Sequence, residues 1–315
     1  MKAFYKLSFK KSDTGIYGDL PDPVAAPNQM VIEVKAVSIN PVDYKLNNIN
    51  TGFLPNAKLP KIVGTDFAGI VSKTADGDSR FKAGDRVYGA TPIFLGKPGS
   101  LAELLLTEAK NARHIPDGMS FQEAASLPVA ALTALNGLRR CGVKEGSKLL
   151  INGATGGVGH FAVQIAREKG AIVTASCSER NRALAVGLGA ETTIGYQKKD
   201  MAGVSEKYDA ILDAWGQMKY KDIFRLLKRG GTYASPLILV APAFLTHIVR
   251  LFSGKKITSA NMRKRPEDYE EIERLFSEKK LKPLIENTFS LEKAAEAFEY
   301  AEKRKPRGKV IITIK

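Results

Sequence analysis

Residues 30–37 alternate apolar and polar side chains, the two-residue period of a half-buried strand. Residues 62–63, 67–71 and 86–89 are shorter pieces of the same kind, cut off by Gly, Pro and Asp. Phe81-Lys82-Ala83-Gly84-Asp85 reads as a turn delivering the strand at Arg86. Many short strands with such turns predict a small barrel or sandwich up to Ser120. There the period changes. Ser120 and Glu123 have capping-box spacing, and Ala125, Leu127, Ala131, Leu132, Leu135 and Leu138 follow helical spacing, interrupted by Pro128. Beyond it, apolar runs alternate with amphipathic segments. Strand 149–151 precedes helix 158–168, and strand 171–176 precedes helix 180–188. After a short extended piece at 192–194 come strand 208–213, helix 221–228 closed by Gly230-Gly231, and strand 232–239. Such alternation predicts a parallel sheet covered on both faces. Past Ala260 the pattern gives helix 266–279, an extended Leu284-Ile285, a helix opened by Ser290 and running to Glu302, and a closing strand at 310–314. The expected fold is α/β, with a doubly wound parallel-sheet domain (123–260) inserted in a mostly β domain, barrel or sandwich (1–122 and 261–315).

The link between strand 149–151 and helix 158–168 is Asn152-Gly-Ala-Thr-Gly-Gly-Val-Gly159, with Gly170 as the helix C-cap. Ala154-x-Gly156-x-x-Gly159 is the dinucleotide fingerprint with Ala for its first Gly, in the strand–turn–helix context that the fingerprint requires. Small residues let backbone approach a phosphate, and the amides opening the helix face it with the positive end of the dipole behind them. A site for NAD usually carries an acid about 20 residues further on, for the ribose 2′-hydroxyl. Here the second strand runs into Cys177-Ser178-Glu179-Arg180-Asn181 and has no acid at its tip. Ser178, Arg180 and Asn181 suit a 2′-phosphate, so NADPH is the expected cofactor.

The chain has 315 residues, room for about two domains. Its only cysteines are Cys141 and Cys177, which excludes a disulfide framework and a cysteine-rich zinc site. His114, His160 and His247 have no ligand-like spacing, and His160 reads as a packing or capping residue of the cofactor helix. A net charge of +15 suits anionic cofactors, acidic membrane surfaces or nucleic acid. The basic clusters, Lys255-Lys256, Arg263-Lys264-Arg265, Lys279-Lys280 and Lys303-Arg304-Lys305, are dispersed, which favours a solvated surface over a nucleic-acid stripe. The N-terminus enters strand-like sequence at once, without a signal or transit pattern. The apolar stretch 236–252 is broken by Pro242, His247 and Arg250 and is too short to span a bilayer. A cytoplasmic enzyme is expected, with peripheral membrane contact through 243–252 left open and no specific nucleic acid.

Several further motifs stand in a recognisable order. They are Asn40-Pro-Val-Asp43-Tyr44-Lys45, Gly64-Thr65-Asp66-Phe-Ala-Gly69, Gly84-Asp85-Arg86-Val87, Gly99-Ser-Leu-Ala-Glu103, and Leu127-Pro128 through Leu132-Thr133-Ala134. With the glycine turn, the chain resembles over nearly its whole length the zinc-free quinone oxidoreductases of the medium-chain dehydrogenase/reductase superfamily. It is most like the branch of chloroplast-envelope quinone oxidoreductases and 2-alkenal (enone) reductases. The resemblance implies a Rossmann cofactor domain inserted in a GroES-like barrel domain. It implies hydride transfer from NADPH to a quinone or to the activated double bond of an α,β-unsaturated carbonyl compound. Zinc alcohol dehydrogenases have Cys and His at the positions resembling Asn40 and Thr65, and a four-cysteine lobe, so no metal is expected here.

By the same resemblance Asn40, Asp43, Tyr44 and Lys45 are the catalytic candidates. Lys45 reads equally as an enolate or phosphate contact or as a surface lysine, and Asp43 as a helix cap. Thr133 is expected near the nicotinamide end. Ala154, Thr155, Gly156, Gly157, Val158 and Gly159 cradle the pyrophosphate, and Ser178, Arg180, Asn181 and Tyr196 surround the 2′-phosphate. Ala214 and Leu237 follow strands whose carboxyl ends face the cofactor, and Lys309 returns to it from the last strand. Trp215 departs from the smaller residues of the family. A non-catalytic, NADPH-binding role in RNA binding or structure is the alternative. The chain is expected as a homodimer or monomer, with 237–240 and 257–260 as candidate dimer strands.

Overall fold

The computed structural model describes residues 1–10, 12–47, 57–74, 80–92, 97–196, 201–236 and 250–315. They form two compact units, Met1–Val129 with Ile285–Lys315, and Ala130–Leu284. Along the chain the first unit contributes β1 (Lys2–Lys6), β2 (Ile16–Asp19), β3 (Met30–Ile39), α1 (Pro41–Asn47), β4 (Lys61–Ile62), β5 (Asp66–Lys73), β6 (Arg86–Ala90), β7 (Leu104–Thr107), β8 (Ala112–His114) and α2 (Phe121–Ser126). Ser120 caps α2 with the reciprocal Glu123 bonds that the spacing predicts. Pro128, which interrupts the helical pattern, opens a separate helix α3 (Pro128–Arg140).

The second unit is built on β9 (Lys148–Asn152), β10 (Ile172–Cys177), β11 (Thr192–Gly195), β12 (Tyr208–Asp213), β13 (Leu227–Ser235) and β14 (Lys256–Ser259). They make one parallel sheet in the order β11-β10-β9-β12-β13-β14. Its helices are α4 (Gly159–Glu168), α5 (Arg182–Leu188), α6 (Tyr220–Leu226) and α7 (Pro266–Ser277). The strand interiors are buried, with Leu149, Leu150, Ile151, Ala175, Ile211 and Leu212 at 0 % exposure, as a sheet covered on both faces requires. Gly170 takes φ +71° after α4, the left-handed C-cap read from the sequence. This is the expected doubly wound cofactor fold.

The chain then returns to the first unit with β15 (Ile285–Ser290), α8 (Ala294–Lys303) and β16 (Lys309–Thr313). A seven-stranded sheet runs β15-β16-β3-β5-β6-β8 with β7 also paired to β3, and a smaller sheet runs β2-β1-β4. Phe4, Ile32, Val34, Phe67, Val87 and Ile312 share one apolar core between them. This is the GroES-like domain.

Three readings are corrected in detail. Residues 261–284, assigned from sequence to the first domain, lie in the second unit. Asp268 of α7, 0 % exposed, accepts hydrogen bonds from Asn136 at 3.2 Å and from Arg139. Gln164 bonds both backbone groups of Lys282, at 2.8 and 3.1 Å. The buried Tyr269, Ile272 and Leu275 mark α7 as a helix but not the unit it packs in, and the polar anchors do not show in hydropathy. Residues 123–129 conversely belong to the first unit. Residues 227–231, expected as a helix end and glycine stop, begin β13 instead. Its register against β12 shifts between Tyr208 and Ala210, so Gly230-Gly231 lie in an irregularity of the strand. Among the described residues no helix is long and apolar enough to cross a membrane. Of the candidate dimer strands, 257–260 largely coincides with the edge strand β14, and 237–240 lies outside the described residues.

Candidate functional site

Chemistry-bearing residues gather in each unit separately. In the first, Val310 of β16 pairs with Ile39 of β3, and Ala36 of β3 with Ala68 of β5. That register brings Lys309, Asn40 and Asp66 to adjoining strand ends. Lys309 Nζ donates to Asn40 Oδ1 at 2.6 Å. Asn40 Nδ2 donates to Asp66 Oδ2 at 2.7 Å and to the Ser38 carbonyl at 3.2 Å. Asp66 Oδ1 accepts the Val129 N–H at 3.1 Å, in the first turn of α3, where a carboxylate is favoured. Asp43 Oδ2 accepts the Asn40 N–H at 2.8 Å, holding the start of α1, and its Oδ1 accepts the Thr65 hydroxyl. All five residues are at most 3 % exposed.

A buried ammonium and two buried carboxyl groups are tolerated only when paired. Burial pushes the Asp43 carboxyl up to about 6, opposed by the Thr65 hydroxyl, the Asn40 N–H and Lys309. It raises Asp66 as well, against the pull of Lys309, and lowers Lys309 while both acids hold it up. A raised carboxyl pKa stabilises the fold below the unfolded value and loses that contribution as pH rises through the folded one. The Asp43→Asn variant has no such proton. Its unfolding free energy relative to wild type is expected to improve by about 2 kcal/mol between pH 4 and pH 7. Urea unfolding at both pH values measures this, and a pH-independent difference contradicts it.

Of the four catalytic candidates, Asn40 and Asp43 thus hold the fold of the cluster. Tyr44 is half-buried against the apolar core, with its hydroxyl pushed up to about 12 by burial. Lys45 alone among the four presents its charge to solvent. Lys309 joins Asn40 through its ammonium group. Thr65 and Asp66 are not among the site residues expected from sequence. The available signal is an acid inside the apolar run from Val63 to Val71, where burial demands a partner.

In the second unit β9 leads into the glycine turn. Gly153 N and Ala154 N both donate to the Ser176 carbonyl at 3.1 Å, tying the turn to the end of β10. A Cβ on Gly159 would sit 2.1 Å from the Gly153 carbonyl oxygen, so only glycine lets α4 start against the turn. No side chain caps α4. Its first N–H groups suit an anion, with Thr155, Gly156, Gly157 and Val158 forming the approach. Asn181 Nδ2 donates to Thr155 Oγ1 at 3.1 Å, joining two expected cofactor residues. Ser176 Oγ, Ser178 Oγ, Asn181 Oδ1 and Arg182 Nε are buried without a partner among the described residues. Buried polar atoms are normally satisfied, and the ribose and phosphate oxygens of a dinucleotide fit that need. Glu179 lies 2.9 Å from Arg182 in an ion pair, and Arg180 is exposed beside it.

Asp213, 0 % exposed, is also absent from the sequence-derived candidates, although it organises the turn after β12. Its Oδ1 accepts from Asn152 at 2.7 Å and Gly216 N at 2.8 Å, and its Oδ2 from Met218 N at 2.9 Å and Tyr233 at 3.0 Å. Ala214 N bonds the Asn152 carbonyl at 3.0 Å, and Trp215 meets the ring of Tyr196. Thr133 is 4 % exposed within α3. His160 packs against Phe161 with its Nδ1 2.9 Å from the Gly156 carbonyl oxygen. Leu237 lies outside the described residues.

Comparison with known proteins places this geometry. The alcohol dehydrogenase GroES-like domain matches residues 26–117, and a zinc-binding dehydrogenase family matches residues 188–312. The chloroplast envelope quinone oxidoreductase homolog of Arabidopsis thaliana is 31 % identical, over 99 % of this chain and 98 % of that protein. The 2-methylene-furan-3-one reductase of Solanum lycopersicum is 32 % identical, over 93 % of this chain and 74 % of its own length. Among solved structures, the quinone oxidoreductase from Coxiella burnetii superposes with a TM-score of 0.87 at 32 % identity, over 100 % of this chain and 99 % of that one. The zinc in the second family's description does not fit the residues present. Among the described residues no three His, Cys, Asp or Glu side chains gather as a metal site. The amide of Asn40 and the hydroxyl of Thr65 are engaged with a lysine ammonium and two carboxyl groups.

Proposed function

Since this chain belongs to the medium-chain dehydrogenase/reductase superfamily, alongside its quinone oxidoreductase homologues, we propose that it reduces an α,β-unsaturated carbonyl compound or a quinone with NADPH and without a metal. At the coarser level it is an NAD(P)H-dependent oxidoreductase of the quinone oxidoreductase and enone reductase type. The finer reading is carried by the cluster at Asn40 and Thr65, where, among the described residues, the only two carboxyl groups are taken up by Asn40, Thr65 and the Val129 N–H and the other members are an amide, a hydroxyl and the Lys309 ammonium, which does not make the three ligands that catalytic zinc needs. With no metal to polarise a lone carbonyl, the acceptor that needs least assistance is one that spreads negative charge over a conjugated system. The protein's contribution is then positioning and modest electrostatic stabilisation.

When bound, NADPH supplies the hydride. The turn from Ala154 to Gly159 and the start of α4 hold its pyrophosphate, and Ser178, Arg180 and Asn181 hold its 2′-phosphate. Thr133 and Ala214 contact the remainder of the cofactor. Lys45 stabilises the oxygen on which negative charge develops, and a proton from solvent completes the product. Asn40, Asp43 and Lys309 keep that region rigid and dry.

Steady-state assays test the reading. With chelator present, NADPH oxidation is expected with an alkenone or a quinone. Turnover confined to a simple alcohol with NADP+, and lost on chelation, contradicts it. Arg180→Ala is expected to raise the dissociation constant of NADPH about tenfold, one charge-assisted hydrogen bond at an exposed position, and leave NADH unchanged. Calorimetry with both nucleotides checks this, and equal losses for the two contradict a 2′-phosphate contact.

A further inference from the structure

We propose that the amino edge of the parallel sheet docks the chain on a membrane surface that carries anionic phospholipids. In a parallel sheet all strands start at one edge, here the edge away from the glycine turn, which follows the carboxyl end of β9. Lys207 directly precedes β12, Arg229 is the third residue of β13 and Lys256 opens β14, so three adjoining strands bring cations to one rim. Lys144, in the loop before β9, and Arg250 and Lys255, before β14, add to it. Among the described residues none of these six pairs with a carboxylate. Asp209 and Glu206 of the same edge are taken by Lys228 at 2.7 Å and Lys148 at 2.6 Å, and Glu145 beside Lys144 offsets one charge. The Lys255 ammonium bonds the Phe224 carbonyl, and burial, with Lys207 close by, pushes its pKa below the usual value. A nucleotide held at the opposite edge leaves this charge unanswered.

Two large apolar side chains stand on the same rim. Leu251 is 79 % and Phe252 85 % exposed. The turn that carries them is tied to β13, because the Gly254 N–H donates to the Arg250 carbonyl at 2.9 Å and the Gly254 carbonyl accepts the Gly230 N–H at 2.7 Å. Apolar side chains held in water beside cations suit a bilayer interface, where Leu and Phe enter the acyl boundary and Lys and Arg meet lipid phosphates. A nucleic acid would use the charge and leave the leucine in water. A cavity of about 460 Å³ opens on this rim, with Lys144, Arg229, Ser147 and Thr232 in its wall. Gly146 and Gly230 also line it, and a Cβ on either would meet nothing within 4 Å. That space, with an ammonium and a guanidinium in its wall, takes the phosphate of a lipid headgroup.

Flotation of the full chain with vesicles tests the docking. Binding is expected on vesicles of phosphatidylcholine mixed with phosphatidylglycerol at low salt, weakening as salt rises, with little on phosphatidylcholine alone. Arg229→Gln with Lys256→Gln is expected to weaken it about thirtyfold, roughly fivefold for each charge. Lys73→Gln with Lys82→Gln alters exposed lysines of the first unit, removes the same net charge and should change little. Leu251→Ser with Phe252→Ser is expected to weaken binding about tenfold or more. All these side chains are exposed, and circular dichroism verifies that the variants fold. A wild-type protein that leaves the anionic vesicles unbound, or equal losses in the two glutamine pairs, refutes the proposal. A serine pair that binds vesicles like wild type shows a surface read by charge alone, as a nucleic acid would read it, and overturns lipid docking. A serine pair that turns a dimer into a monomer, with neither form binding vesicles, gives the face to a second copy of the chain and overturns it too.

Discussion

Lys309→Met is expected to destabilise the protein by about 3–5 kcal/mol at pH 8, the range for leaving a buried charge without its counter-ion. Methionine preserves most of the length and apolar surface of lysine but removes the ammonium. Asn40 Oδ1 then loses its donor, and Asp43 and Asp66 lose the cation that opposes their desolvation. The loss should shrink toward pH 5, because both carboxyl groups are already raised by burial and take up protons without Lys309. Combining Lys309→Met with Asp66→Asn removes one charge of each sign and should recover most of the stability. The amide introduced by Asp66→Asn keeps an oxygen for the Val129 N–H that Asp66 accepts. Urea unfolding of the four proteins at both pH values gives the cycle. Additive losses in the double variant would mean that the two residues do not act as a pair.

The second large effect is expected at Gly159. Its added Cβ would meet the Gly153 carbonyl oxygen at 2.1 Å and the Ala154 Cα and carbonyl carbon at 2.8 Å. These are backbone atoms, fixed by the bonds of Gly153 and Ala154 to Ser176. No rotamer change relieves the clash, so α4 and the turn must separate. Gly159→Ala is expected to cost about 3 kcal/mol and to abolish measurable binding of NADPH. Gly187→Ala is the contrast. There a Cβ meets nothing within 4 Å, in the helix α5. That substitution should be neutral or stabilise by up to about 1 kcal/mol and leave nucleotide affinity unchanged. Thermal melts and calorimetry of both variants test the pair. Normal NADPH affinity in Gly159→Ala would show that the tight turn is not the phosphate cradle.

The legible parts of the chain are those with a period or a punctuating residue. The alternation in β3, the capping box at Ser120 and the C-cap at Gly170 are local, and each specifies its own element. The Rossmann sheet follows from repeated apolar runs separated by helical ones, and the barrel from short strands between turns. What escapes reading depends on tertiary pairing. Asp66 and Asp213 look like ordinary acids at strand ends, and only the register of neighbouring strands makes them hubs. Lys309 is expected near the cofactor by resemblance alone, and the pairing of β16 with β3, which brings its ammonium to Asn40, shows in no local pattern. Residues 261–284 change domain because α7 and Lys282 attach through polar bonds to Asn136, Arg139 and Gln164, which leave no trace in hydropathy. Trp215 stands out in the sequence only as a residue of unexpected size, and its relation to Tyr196 emerges from the strand order.

The central claim is conjugate, metal-free hydride transfer. NADPH carrying deuterium at the reactive position of its nicotinamide, given to the chelated protein with an alkenone, tests it directly. The expected product is the saturated ketone with deuterium on its β-carbon, located by mass spectrometry or NMR. An allylic alcohol with deuterium on the former carbonyl carbon would contradict the account.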